Sequence, residues 1–217
     1  MKHYELIVFD WDGTLMDSAA AIVRSIRAAY RDLGLPEPDE AAARHVIGLG
    51  LSDALRHAVP QLSLEDYPQM VDRYRHHYLA RDHELALFDG IEHLLGELGA
   101  AGHLLAVATG KSRVGLDRAL KHSGLQGCFQ SSRCADECFS KPHPQMLEEL
   151  MDEFGVLPKS TLMVGDTSHD LLMASNAGVD GLAVTYGAHS HQYLIEHAPR
   201  ACLHSVEELA SWLKINA

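Results

Sequence analysis

The chain has 217 residues, 47% of them hydrophobic and 22% charged. That suits one domain carrying a smaller insertion, with a sizeable buried core. The 18 Lys and Arg stand against 30 Asp and Glu, a net charge of −12, which argues against nucleic acid and anionic membranes as partners. No apolar run approaches the roughly 20 residues of a membrane span. Glu5, Asp10 and Asp12 interrupt the region where a secretory signal needs apolar continuity, so the expected location is the cytoplasm. Cys128, Cys134, Cys138 and Cys202 include no C-x-x-C pair and read as free thiols rather than a zinc module. The 15 histidines are scattered, with no pair at the spacing of a helical zinc site.

In chain order, residues 4–10 read as a strand, short, apolar and rich in β-branched and aromatic side chains. Asp17 and Ser18 are N-cap types before a helix over 19–33 with apolar positions near helical spacing. Gly34, Pro36 and Pro38 end it. Asp39 suits the cap of a short helix to 46. Residues 47–51, Ile-Gly-Leu-Gly-Leu, form a flexible interruption before helices over 52–58 and 64–80. No strand is expected between 17 and 86, an all-helical block of about 70 residues. From 88 onward strands and helices alternate. Helices are expected over 90–100, from an opening at 109–112 to about 122, over 142–154 and 168–177, and briefly over 191–197. Strands are expected over 103–108, near 128–131, and over 161–164 and 181–185. A possible edge strand, 201–203, precedes a terminal helix over 206–213. The pattern predicts an α/β fold: a Rossmann-like, doubly wound parallel sheet made by 1–16 and 87–217, with 17–86 inserted as a helical domain.

Asp10 and Asp12 stand at the carboxyl end of the first strand, where open α/β sheets bind ligands. Two residues apart on an extended segment, they point to one side. Two carboxylates in one small site need a cation or a proton between them. Read alone, Asp12-Gly13 is also an ordinary turn pair. Three further stretches follow: Thr109-Gly110 after an apolar run, Lys141-Pro142, and Gly165-Asp166-Thr167-Ser168-His169-Asp170 after another apolar run. Singly each is weak. In this order, each at a strand end or helix start, they resemble the four motifs of the haloacid dehalogenase superfamily of phosphatases, over about residues 4–190.

The resemblance implies a Mg²⁺-dependent phosphomonoester hydrolase. Asp10 is then the nucleophile that forms an aspartyl phosphate, and Asp12 the general acid and base. The family's dehalogenases and phosphonatases lack an acid at the position of Asp12, so its presence favours phosphate esters. The implied Mg²⁺ ligands are Asp10, the backbone carbonyl of Asp12, and Asp166. Asp170 would orient a metal-bound water or Lys141, its alternative being a carboxylate favoured by a helix N-terminus. Thr109, Gly110 and Lys141 would hold the substrate phosphate. Pro142 and Pro144 restrict the backbone on either side of His143. Lys111 reads as a solvated surface lysine, and Trp11 should point away from the two acids, into the fold or toward the hinge. The helical block resembles the cap of the superfamily's first subclass, and 47–51, with Gly48 and Gly50, its substrate-specificity loop. Arg44, His45 and Arg56 flank that loop as candidate partners of an anionic leaving group.

Within the superfamily the chain most resembles phosphoglycolate-phosphatase-like members, whose substrates are small phosphorylated metabolites. The motifs leave open a phosphomutase of the β-phosphoglucomutase type. A non-catalytic binding protein on the same scaffold is disfavoured, because every catalytic position is filled. Monomer and homodimer both remain open.

Overall fold

The computed structural model describes residues 3–58, 62–63 and 65–217. Six parallel strands form one sheet: β1 (Leu6–Phe9), β2 (Leu104–Thr109), β3 (Ser131–Cys134), β4 (Thr161–Gly165), β5 (Asp180–Val184) and β6 (Cys202–Leu203). Their spatial order is β3-β2-β1-β4-β5-β6, so the direction of winding reverses beside β1, the crevice where doubly wound sheets bind ligands. All four residues of β1 are buried. They alternate between the two faces. Ile7 and Phe9 join a cluster with Leu105, Val107, Leu162 and Val164, whereas Leu6 and Val8 join Ala106, Ala108 and Met163.

The helices are α1 (Ala19–Asp32), α2 (Glu40–His45), α3 (Leu51–Ala58), α4 (Tyr67–Leu79), α5 (Ile91–Ala100), α6 (Arg113–Ser123), α7 (Gln145–Phe154), α8 (Ser168–Ala177), α9 (His191–Ile195) and α10 (Val206–Asn216). Helices α5 and α10 cover the first face of the sheet through Leu94, Leu95, Leu98, Leu209 and Leu213. Helices α7 and α8 cover the second through Met146, Leu150 and Met173. Helices α1 to α4 share a separate core around Ile22, Ile26, Tyr30, Ala43, Leu55 and Met70. Two adjacent crossings tie that block to the sheet. Asp17 N–H donates to the Ala86 carbonyl and Phe88 N–H to the Leu15 carbonyl, with Met16 bridging to Leu87.

Most expected elements stand within a few residues of their predicted places, and the differences have physical reasons. The short third strand lies at 131–134 rather than near 128–131, because its register is fixed by pairing Ala106 with Ser131 and Thr109 with Cys134. As an edge strand of Ser, Ser, Arg and Cys it carries little hydrophobic signal. The helix expected from 142 begins at Gln145. The Lys141–Pro142 peptide bond is cis. Leu64, at the predicted start of the fourth helix, lies outside the described residues, and the observed helix runs Tyr67–Leu79. Asp39 caps α2 as expected, accepting from Ala42 N–H at 2.7 Å. Ser18 stands at the N-cap of α1 but makes no side-chain cap bond there. Among the described residues no helix is long and apolar enough to cross a membrane.

Candidate active site

The carboxyl ends of β1, β2 and β4 deliver Asp10, Thr109 and Asp166 to one place, and the start of α8 adds Asp170. Asp10 N–H donates to the Val164 carbonyl at 2.9 Å, so the sheet ladder itself fixes that backbone. After Asp10 the chain turns sharply at Gly13, whose φ of 84° lies in the left-handed region. A Cβ there would lie 2.1 Å from Asp166 Oδ2. Only glycine lets the Asp12–Thr14 turn come this close to the carboxylate.

Lys141 is the hub of the cluster. Its ammonium donates to Asp10 Oδ1 at 2.6 Å and to Asp170 Oδ1 at 2.7 Å, with all three side chains fully buried. Asp170 Oδ2 accepts from the hydroxyl and the N–H of Thr167, closing a capping box at the start of α8. Asp166 Oδ1 accepts from the Thr14 hydroxyl at 2.9 Å and its Oδ2 from Ala188 N–H at 2.7 Å. Asp10 Oδ2 is buried with no hydrogen-bond partner among the described residues. Burial, reinforced by the like charges of Asp170 and Asp166, raises the Asp10 carboxyl well above its ordinary value, against the pull of Lys141. Burial and Asp170 push Asp166 up to about 7. Burial would lower Lys141, but Asp10 and Asp170 more than offset it and hold the ammonium above its usual value.

Three buried carboxylates around one lysine leave a local excess of negative charge. Oxygens of Asp10, Asp166 and Asp170 lie within 4.8 Å of one another. The unpartnered Asp10 oxygen and an all-oxygen donor set fit a hard divalent cation. Lys141 and Thr167 hold both oxygens of Asp170, and among the three carboxylates it is Asp10 Oδ2 that has no hydrogen-bond partner among the described residues.

Asp12 faces the cavity between the sheet and the helical block. Its Oδ1 accepts from the Ser18 hydroxyl at 2.6 Å, and its Oδ2 pairs with Lys111 Nζ at 3.0 Å. Lys111 is therefore not the solvated lysine its sequence setting suggests. Its side chain is 12% exposed and also donates to the Tyr78 hydroxyl of α4 at 3.0 Å. Burial works against that ammonium, and Asp12 and Tyr78 more than offset it, holding it above its ordinary value. Lys111 and Tyr78 have no motif that marks them, since each acts through a neighbour distant in sequence, and Ser18 lies beyond the Asp10–Thr14 motif although its partner Asp12 is close in sequence. Trp11 points away from the acids, fully buried against Phe129, its Nε1 without a partner among the described residues. Lys111→Met should lower kcat about tenfold to 100-fold, with a smaller change in KM and partial rescue by Lys111→Arg, because Asp12 loses one of its two anchors. Steady-state kinetics on the three proteins would check this, and an unchanged kcat in Lys111→Met would contradict it.

Thr109 is buried at the end of β2, its hydroxyl accepting from Lys111 N–H at 3.2 Å, and Gly110 lines the same cavity. A Cβ on Gly110 would lie 2.4 Å from the Leu49 carbonyl, so the 47–51 loop sits directly on the Thr109–Gly110 turn. Gly48 and Gly50 line the cavity, and Gly50 N–H donates to the Ser140 hydroxyl at 2.8 Å. The flanking cations lie elsewhere. Arg44 pairs with Glu40 at 3.0 Å, and Arg56 is exposed outside the cavity lining. The His45 ring stacks on His189, its centroid 5.4 Å away, and its carbonyl accepts from His169 Nε2 at 2.8 Å. These three residues pin the helical block to the sheet and do not reach the Asp10 cavity lining.

Comparison with known proteins places the chain in a family. The family model described as haloacid dehalogenase-like hydrolase matches residues 7–184. The chain is 35% identical to the "Probable phosphatase IndB" of Dickeya dadantii, over 94% of this chain and 91% of that one. It is 34% identical to a 5'-nucleotidase of Pseudomonas aeruginosa, over 90% and 89% of the two chains. A crystal structure of a predicted phosphoglycolate phosphatase from Haemophilus somnus superposes with a TM-score of 0.87 at 27% identity, covering 100% of both chains. The chain belongs to the haloacid dehalogenase-like hydrolases and is a phosphatase of the phosphoglycolate-phosphatase-like kind.

Proposed function

We propose that this phosphatase hydrolyses monoesters of small phosphorylated metabolites with Mg²⁺, through a phosphoaspartate on Asp10. The observation that carries the reading is the unpartnered, buried Asp10 Oδ2 beside a cavity that Asp12, Thr109 and Gly110 also line. Asp10 Oδ1 is tied to Lys141. Lys141 therefore fixes the carboxylate that would attack phosphorus. When bound, Mg²⁺ supplies the positive charge that lets a phosphate dianion approach a carboxylate. Asp10 and Asp166, with the backbone carbonyl of Asp12, are the residues that would hold it.

Asp10 attacks phosphorus as the bond to the ester oxygen breaks. Asp12, as general acid, gives a proton to the departing alcohol oxygen. The same carboxylate then takes a proton from the water that attacks the phosphoaspartate, which restores Asp10 and releases inorganic phosphate. Lys141, the Thr109 hydroxyl and backbone N–H groups at the Gly110 turn hold the phosphoryl oxygens, and Asp170 keeps Lys141 aimed. The 47–51 loop, lying over Gly110, excludes water from the reacting centre.

Phosphate release from p-nitrophenyl phosphate, with Mg²⁺ and after EDTA, tests the reading. We expect release that falls at least about 100-fold on chelation and returns when Mg²⁺ is restored. Release indifferent to chelation would remove the metal from the proposal. No release from folded protein, in Mg²⁺ and across a panel of metabolite phosphates, would remove the hydrolysis.

A further inference from the structure

We infer that the leaving group this site takes is a ring-bearing alcohol of nucleoside size, bound against the tyrosines of α4, rather than a two-carbon acid such as glycolate. The inference rests on the phosphatase reading above and names its substrate class.

The cavity that Asp10 and Asp12 line has a volume of about 680 Å³, within the range of about 300–1,000 Å³ that takes drug-sized ligands. A glycolate moiety displaces about three waters of about 30 Å³ each and would leave most of that space to solvent. The wall opposite the acids is apolar, built from Ile22, Ile26, Ile47 and Leu55. Tyr74 and Tyr78 complete it, their rings near-parallel at 18° with centroids 5.8 Å apart. Rings so placed offer aromatic surface to a flat group. Burial raises both phenols above their ordinary value, so both are neutral hydroxyls at physiological pH. The Tyr78 hydroxyl is engaged by Lys111, whereas that of Tyr74 makes no hydrogen bond among the described residues and remains free for a polar edge of the ligand.

The cations of the cavity point the same way. A small carboxylate leaving group needs a dedicated positive charge. Lys111, the cation beside Asp12, is already paired with it, and Arg118 is paired with Asp82 at 2.7 Å. Arg75, the other cation lining the cavity, is exposed. An apolar, aromatic pocket with its innermost cation neutralised matches a neutral ring system better than a second anion.

The test compares kcat/KM in Mg²⁺ for uridine 5'-monophosphate, phosphoglycolate and acetyl phosphate, on wild type, Tyr74→Ala and Tyr74→Phe. We expect wild type to prefer the nucleotide over phosphoglycolate by about tenfold or more. The ratio of nucleotide to acetyl phosphate should fall about tenfold or more in Tyr74→Ala and stay within about threefold in Tyr74→Phe, which keeps the ring. A wild-type preference for phosphoglycolate, or a ratio unmoved in Tyr74→Ala, overturns the inference and leaves the phosphatase reading standing. No phosphate from any of the three compounds, in folded wild type, overturns both. The wild-type comparison decides by itself if Tyr74→Ala fails to fold.

Discussion

Asp10→Asn is expected to lose at least about 10⁴-fold in kcat on any phosphomonoester the wild type hydrolyses, while raising the Tm of the metal-free protein. The two effects have one cause. Asp10 is fully buried among Asp166 and Asp170, and among the described residues Lys141 is the cation that opposes those charges at hydrogen-bond distance. Asn keeps the oxygen that accepts from Lys141 but carries no charge, so the buried excess is reduced. The gain should be about 1–2 kcal/mol, which in a chain of this size is about 2–8 °C in Tm. An amide N–H₂ left unpartnered where Oδ2 stood trims it. Saturating Mg²⁺ should narrow or reverse the difference, because the cation stabilises the form that binds it better, and Asp10 is one of its proposed ligands. Thermal melts of both proteins in EDTA and in Mg²⁺, beside single-turnover kinetics, give both readings. A variant that is inactive and also less stable without metal would mean that Asp10 holds the fold rather than the chemistry.

The parts of this site that could be read from the sequence are those set by local rules. Asp10, Thr109 and Asp166 each follow an apolar run, and strand ends in a parallel sheet converge on one edge whatever the details of packing. Lys141 was visible only through its place among the other motifs. A lysine fully buried between two carboxylates leaves no mark in its neighbouring residues. Lys111 shows the limit of local reading. Its role depends on Asp12, 99 positions earlier, and on Tyr78, 33 positions earlier, and no periodicity encodes either pairing. The same holds for His45, His169 and His189. They are scattered in sequence and meet because α2 docks beside the start of α8. The third strand lies three residues beyond its expected place because backbone pairing with β2 sets it, whereas apolar Cys128 and Phe129 carry the β-propensity.

Lys141→Met is the other large effect, and here stability and activity fall together. The substitution removes the positive charge between Asp10 and Asp170 and both of its hydrogen bonds. Breaking a buried ionic pair on one side costs about 3–5 kcal/mol, or roughly 6–20 °C in Tm, and kcat should fall about 100-fold to 1,000-fold with the loss of charge beside the phosphoryl group. The dependence on pH separates electrostatics from poor packing. In the metal-free wild type, Asp166 is pushed up to about 7 and Asp10 is also raised. Between the ordinary carboxylate range and those values the folded protein binds more protons than the unfolded chain, so this contribution falls as pH rises. Burial and His169 push His189 down to about 4, and burial lowers His169. Between those values and the ordinary histidine range the unfolded chain binds more protons, so that contribution rises with pH and levels off above about 6.5. Below about pH 6.5 the two slopes oppose each other. Above it the carboxylates act alone, and metal-free stability should decline. Without Lys141 nothing draws Asp10 down, the carboxylate window extends to higher pH, and the decline steepens. Measured in EDTA, the Tm deficit of Lys141→Met should therefore be larger at about pH 8 than at about pH 5. An equal deficit at both would assign the loss to the fit of the methionine chain, and the buried charges would then be balanced by something other than Lys141.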